Sequence, residues 1–222
     1  MRVIAGQFKG RRLKAPSWEG LRPTSDKLRE TLFNILALRV EGARVVDAFA
    51  GTGAVGTEAL SRGAAHVTFI ERDRRAAALI ESNLARCGVK QDYTIECGDV
   101  ASVLRRMHEG AEFDLVLLDP PYDIDPDTVT QALEAAAVRV AADGLVVLEH
   151  AGRIDPRVPE ALSRTRDVTS GDSTLTFFRR VLTVRGAGAA QRTRRVCGRV
   201  PRSGPAGVCG AGAASRTRRE LR

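Results

Sequence analysis

Five short apolar runs punctuate the middle of the chain, and a helix-like pattern follows each of the first four. They cover residues 44–49, 66–71, 93–96, 114–119 and 144–149, with Leu115-Val116-Leu117-Leu118 the most uniformly apolar. Unbroken apolar runs of this length, without strict alternation, mark strands buried on both faces of a parallel sheet. Helical spacing runs from the 51–53 turn to near Gly63, over 74–87, from 98 to about 108, and over 127–141. That rhythm predicts an α/β fold, a doubly wound and mostly parallel sheet with helices on both faces. Residues 164–169 and 174–180 flank Ser170-Gly171-Asp172-Ser173, which predicts a hairpin adding an antiparallel edge.

The front of the chain reads differently. Residues 2–5 and 12–15 flank Gly6 and Gly10 and predict a small hairpin, followed by a loop over 16–23. Thr24 or Ser25 caps the next helix, and Asp26 in its first turn meets the positive end of the helix dipole. Leu28, Leu32, Ile35 and Leu36 form the apolar stripe, Phe33 broadens it, and Gly42 closes the unit. After about Arg185 the chain is rich in Gly, Ala and Arg without periodicity, which predicts disorder. Three segments follow: an N-terminal hairpin and helix over 1–42, an α/β domain over 43–182, and a tail over 183–222.

At 222 residues and 43% hydrophobic composition the chain suits one domain with trimmings. No stretch approaches the roughly 18 apolar residues of a membrane span. Met1-Arg2-Val3-Ile4-Ala5-Gly6 lacks the apolar core of a secretory signal. Cys87, Cys97, Cys197 and Cys209 have no metal-ligand spacing, so free thiols, no metal and a cytoplasmic location are expected. The net charge of +8 has a location: of 35 Lys and Arg, ten arginines lie beyond residue 182 against one acid, Glu220. The first thirty residues hold eight basic groups against three acids, and the middle is mildly acidic. Basic ends on an acidic body point to a polyanionic partner.

Candidate chemistry sits where the strands end. Asp47-Ala48-Phe49-Ala50-Gly51-Thr52-Gly53 joins the first strand to its helix, with glycines that let a ligand approach the backbone. Asp47 repels a pyrophosphate but attracts a cationic ligand, which argues against a nicotinamide dinucleotide. Glu71, at the end of the second strand, stands where an acid holds ribose hydroxyls. Gly98-Asp99 after the third strand offers an acceptor to an adenine amine. Asp119-Pro120-Pro121-Tyr122 ends the fourth strand: two prolines stop the ladder and stiffen a cluster of acceptors beside an aromatic plate. That combination suits a flat, amine-bearing substrate such as a nucleobase.

These residues, in this order, resemble the class I S-adenosylmethionine-dependent methyltransferases that modify amines and carry a (D/N)PP(Y/F) motif. Three opening segments narrow the match: Arg2-Val3-Ile4-Ala5-Gly6 with Lys9-Gly10-Arg11, Leu21-Arg22-Pro23-Thr24-Ser25-Asp26, and Arg29-Glu30-Thr31-Leu32-Phe33-Asn34. They are similar to the bacterial family that methylates N2 of guanine 966 in 16S rRNA, and the resemblance covers about residues 2–180. It implies a Rossmann-like methyltransferase sheet with the methyl donor held by Asp47, Phe49, Ala50, Gly51, Thr52, Gly53, Glu71, Arg72, Asp99 and Val100. It also implies that Asp119 and the Pro120 carbonyl accept the amine hydrogens, with Pro121 stiffening the turn. Tyr122 would stack on the flipped base, and Lys9, Arg11, Arg12, Lys14 and Arg22 would contact the rRNA backbone. Arg29 and Glu30 serve equally well to tie the first helix to the domain. The expected partner is 16S rRNA, alone or in an assembling small subunit, and the expected state is a monomer. The same site would serve an adenine-N6 methyltransferase on DNA or RNA, and the same fold a non-catalytic RNA-binding assembly factor.

Overall fold

The apolar runs form five strands, β1 (Arg44–Ala48), β2 (His66–Glu71), β3 (Tyr93–Cys97), β4 (Phe113–Leu118) and β5 (Val140–Ala151), followed by β6 (Leu162–Ser170) and β7 (Ser173–Arg180). They make one sheet in the order β3-β2-β1-β4-β5-β7-β6. The first five strands pair in parallel, and β7 runs antiparallel to both of its neighbours, β5 and β6. The chain is a computed structural model that describes residues 1–16, 18, 25–108 and 110–181. The tail expected to be disordered, 183–222, lies outside the described residues, as do Cys197 and Cys209; Cys87 and Cys97 are free.

Among the described residues six helices cover the sheet: α1 (Asp26–Ile35), α2 (Ala37–Val40), α3 (Ala54–Ser61), α4 (Arg74–Cys87), α5 (Val100–Arg106) and α6 (Pro126–Arg139). Successive strand residues point to opposite faces, and each face has its own core. Val45, Phe69, Leu115, Leu117 and Val147 pack with Leu28, Phe33, Ala59, Ile80 and Leu84 from α1, α3 and α4. Val46, Ile70, Val116, Leu118 and Leu148 pack with Val103, Leu104, Leu133 and Ala136 from α5 and α6. Both faces of β1 and β4 are therefore dry, which explains their unbroken apolar sequence. α1 shares the first core, so the N-terminal segment and the α/β sheet belong to one compact unit, Met1–Thr183.

Several local details depart from the sequence pattern. The expected N-terminal hairpin has a single bridge, Arg2 to Arg12, in place of two paired strands. The Val3, Gly10 and Leu13 amides do pair across it, with the carbonyls of Arg11, Val3 and Met1 at 3.0, 2.9 and 3.3 Å, while four amides between them turn to α3. Ile4 and Ala5 donate to the Glu58 carboxylate at 2.7 and 3.0 Å, Gln7 to the Ser61 carbonyl at 2.7 Å, and Phe8 to Ser61 Oγ at 2.9 Å. The segment is a strap lying on α3. Ser25 is the cap of α1, accepting from the Leu28 amide at 3.2 Å. β5 starts at Val140, earlier than its apolar run, because Val140 pairs with Phe113 before the register shifts. In the terminal hairpin, β7 takes the inner place and β6 forms the edge. Arg139, at the end of α6, donates to the carbonyls of Leu104, Arg105, Met107 and His108 at 2.7–3.0 Å. It thereby satisfies the carbonyls left open where α5 ends.

Candidate functional site

From β1 the chain moves outward through β2 and β3, then returns to the other side of β1 as β4. The gap between the carboxyl ends of β1 and β4 is the switch point at which open α/β sheets bind ligands. A cleft of about 580 Å³ opens there. Its wall brings together Asp47, Phe49, Ala50, Gly51, Thr52, Glu71, Arg72, Asp99 and Val100 with Asp119, Pro120, Pro121 and Tyr122. Gly53, expected beside the donor, stands behind the wall. It caps α3 in the left-handed conformation, φ 73°, and a Cβ there would meet Ile80 at 3.0 Å.

The loop after β1 is held from below by acids. Asp47 accepts from the Gly56 amide at 2.7 Å, and Glu71 accepts from Gly51 at 2.8 Å and Asp73 at 2.8 Å. Each carboxylate retains lone pairs for a ligand after those bonds. Gly56 brings α3 hard against β2: a Cβ there would lie 2.3 Å from the Phe69 ring. Phe49 turns the chain out of β1 with φ 59°, a conformation costly for an aromatic residue, and so aims its ring at the cleft. Asp99 is exposed and caps α5 through the Ser102 amide at 2.9 Å. The rim adds Trp18, whose ring lies 5.0 Å from the Arg75 guanidinium.

Burial lifts the Asp47 carboxyl well above the ordinary range, opposed by the Gly56 amide and reinforced by the charges of Asp119 and Glu71. The cleft thus holds more negative charge than its solvation supports, an arrangement that a cation would relieve. A sulfonium fits that description, and the lone pairs left on Glu71 can accept from hydroxyl groups. The residues present therefore fit S-adenosylmethionine.

At the opposite wall Glu149, absent from the sequence expectations, sits at the end of β5 and is 7% exposed. Tyr122 Oη donates to Glu149 Oε1 at 3.2 Å and lies 2.6 Å from Ser173 Oγ. Glu149 is also hydrogen-bonded to Asp119, and burial first, then the charge of Asp119, push it up to about 8. Ser173 was not anticipated either. Glu149 reaches the cleft from the carboxyl end of β5, and Ser173 because β7 inserts beside β5.

The basic residues occupy a separate surface. Lys9, Arg11, Arg12 and Lys14 are exposed along the strap, and Arg22 lies outside the described residues. Asn83, buried in α4, ties the strap to the donor loop: it accepts from the Lys14 amide at 2.7 Å and donates to the Thr52 carbonyl at 3.0 Å. Arg29 is also buried, bonding the Arg2 carbonyl at 2.5 Å and Asp26 at 2.9 Å, with Glu58 of α3 at 3.9 Å. Among the described residues no helix is long and apolar enough to cross a membrane, and no group of three His, Cys, Asp or Glu is placed to hold a metal ion.

Known proteins are similar to this chain. A candidate rRNA methyltransferase of Bacillus subtilis, YlbH, is 34% identical over 185 residues, covering 81% of this chain and 99% of the relative. The ribosomal RNA small subunit methyltransferase D of Haemophilus influenzae is 41% identical over 124 residues; that match spans 55% of this chain and 64% of the relative's length. The solved structure of the candidate methyltransferase yhhF from Escherichia coli superposes with a TM-score of 0.69 at 34% identity, covering 81% of this chain and 97% of that one. The fold is the Rossmann-like methyltransferase fold. Residues 1–179 match the family described as conserved hypothetical protein 95, and the chain belongs to that family.

Proposed function

We propose that this protein transfers a methyl group from S-adenosylmethionine to the exocyclic N2 amine of a guanine in 16S rRNA. The carrying observation is the rigid turn Asp119-Pro120-Pro121-Tyr122, set across a cleft from the acids Asp47 and Glu71. S-adenosylmethionine supplies an electrophilic methyl group on a sulfonium. Glu71 takes the ribose hydroxyls, Asp99 the adenine amine, and Asp47 the positive end of the donor. Asp119 and the Pro120 carbonyl accept the two amine hydrogens and aim the nitrogen lone pair at the methyl group. Guanine's amine is a poor nucleophile because its lone pair is delocalised into the ring, so the rate comes from alignment and exclusion of water. Tyr122, pinned through its hydroxyl to Ser173 and Glu149, presents its ring to the flipped base, a stacking contact worth roughly 1–3 kcal/mol. Lys9, Arg11, Arg12 and Lys14 hold the rRNA backbone and position the target. The names of the relatives from Bacillus and Haemophilus support rRNA as the substrate class, and the N-terminal motifs support guanine N2.

The test is methyl transfer from labelled S-adenosylmethionine to 16S rRNA, naked and within small-subunit particles, from a strain lacking this protein. Nucleoside analysis is expected to return N2-methylguanosine. Label in N6-methyladenosine would move the substrate to adenine, and no label in either RNA form would overturn the reading.

A further inference from the structure

Beyond pinning the Tyr122 hydroxyl, Glu149 also bonds Asp119, the group that receives the amine. It lies in the inner strand β5, and its neighbours come from three directions. Asp119 faces it from the end of β4, Tyr122 from the turn that follows, and Ser173 from β7. Asp47 of β1 faces Asp119 in turn, with Glu71 of β2 beyond and the Arg29 guanidinium of α1 on the other side. Two hydrogen-bonded carboxyl groups must share a proton, since an ionised pair offers acceptors only. The hydroxyls of Tyr122 and Ser173 both favour the ionised form of Glu149, while burial and Asp119 oppose it. The pair is thus balanced between one proton and none, and it titrates as a unit.

Resting on the methyltransferase reading, we infer that Glu149 is the second half of a proton-accepting pair with Asp119. The nitrogen lone pair forms the N–CH₃ bond, the S–CH₃ electrons return to sulfur, and the departing N–H proton is held between the two carboxyl groups. Charge balances within the cleft. The acids face one positive charge on the sulfonium before transfer, and one proton takes its place afterwards. Asp119 touches the substrate; Glu149 is a positioning residue that fixes the Asp119 carboxylate and the Tyr122 hydroxyl and extends the capacity of the pair.

The same balance operates on donor binding. A sulfonium beside the pair favours its ionised form, so S-adenosylmethionine should expel the shared proton, whereas S-adenosylhomocysteine, which lacks the charge, should leave it. The two ligands carry the same amino acid and nucleoside groups, so their difference isolates the sulfonium. Calorimetric titration of the full-length protein at neutral pH, in buffers of different ionisation enthalpy, counts the protons released. S-adenosylmethionine is expected to release up to about one proton more than S-adenosylhomocysteine, with the difference fading above about pH 9, where the pair is already ionised. Glu149→Gln should reduce the difference while both ligands still bind, what remains belonging to Asp47, which is raised in the same sense; Tyr122→Phe should preserve it. Equal release by the two ligands in the wild-type protein overturns the inference, and so does an unchanged difference in Glu149→Gln. If Glu149→Gln does not fold, the wild-type comparison and its pH dependence decide alone. If neither ligand binds the wild-type protein, the methyltransferase reading itself has failed.

Discussion

Gly6→Ala isolates the strap from the rest of the molecule. A Cβ at Gly6 would lie 1.8 Å from the Ser61 carbonyl oxygen and 2.3 Å from its carbon, where ordinary contact begins at 3.4 Å. Both atoms are helix backbone, so no rotamer change relieves the overlap, and the strap must lift by more than an ångström. The bonds at risk are those of the Ile4 and Ala5 amides to Glu58 and of the Gln7 and Phe8 amides to Ser61. At roughly 1 kcal/mol for each neutral bond and more for those to a carboxylate, partial loss weakens docking by about 3 kcal/mol. Every 1.4 kcal/mol is about tenfold, so amide-exchange protection at these four positions should fall about 100-fold. Gly10→Ala is the matched control: its φ of 82° is close to the 80° of Gly6, but no heavy atom lies within 4 Å of its Cβ position. It should cost only the left-handed penalty of about 1–2 kcal/mol, which an exposed turn can relax. Residue-resolved hydrogen exchange reads both variants, and rRNA binding should weaken in Gly6→Ala while S-adenosylmethionine still binds. Protection in Gly6→Ala within about threefold of that in Gly10→Ala would refute the claim that strap docking depends on close approach to Ser61.

Further outcomes follow from the same structure. Asp119→Ala removes the amine acceptor and should lower kcat by about 100-fold or more with donor affinity nearly intact; single-turnover transfer and a binding titration separate the two. Arg139→Met strips four carbonyls at the end of α5 of their donors and should cost about 3 kcal/mol, a melting drop of roughly 6–12 °C by calorimetry. The Glu149 carboxyl, raised to about 8 from 4.5, makes stability pH-dependent. Its folded form keeps a proton that the unfolded chain loses, so its contribution is full below about pH 4.5 and is lost as pH rises through about 8. Melting temperature should therefore fall across that window and flatten in Glu149→Gln; the flattening is partial because Asp47 is raised in the same sense. An equally steep fall in the variant would place the proton elsewhere.

The sheet was legible because burial on both faces leaves a signature in sequence. Val45-Val46, Val67, Phe69-Ile70 and Leu115-Val116-Leu117-Leu118 are apolar at every position that meets a core. The strap was less legible. Gly6 and Gly10 do turn the chain, and Val3, Gly10 and Leu13 do pair across it, but that the amides of Ile4, Ala5, Gln7 and Phe8 leave for another element is not written in residues 2–15. Glu58 and Ser61, more than fifty residues away, decide it. The start of β5 fails for a related reason: the alanines of Val140-Ala141-Ala142-Asp143 carry no strand signal, and pairing of Val140 with Phe113 overrides the local preference. The order of the last two strands had a signal that went unread. Leu175, Phe177 and Phe178 suit an inner strand, whereas Arg164, Arg166 and Asp167 suit an edge.

The same distinction explains why, of the cleft acids that follow the apolar run of an inner strand, Asp47, Glu71 and Asp119 were found and Glu149 was missed. Asp47 follows Val45-Val46, Glu71 follows Phe69-Ile70, Asp119 follows Leu115-Val116-Leu117-Leu118, and Glu149 follows Leu145-Val146-Val147-Leu148. All four have the same local signature, an acid straight after the apolar run of an inner parallel strand. The first three precede a break, whether a glycine loop, a helix cap or two prolines, and each break announces a functional turn. Glu149 precedes His150-Ala151, which continue the strand, so nothing local distinguishes it from a solvated strand end. Its environment comes from β7, which runs back along β5, pairs Leu175 with Glu149, and brings Ser173 within reach of the Tyr122 hydroxyl. In a sheet of this topology an acid that ends an inner apolar run is a candidate for the cleft whether or not a turn motif follows, because the switch point collects the carboxyl ends of adjacent strands.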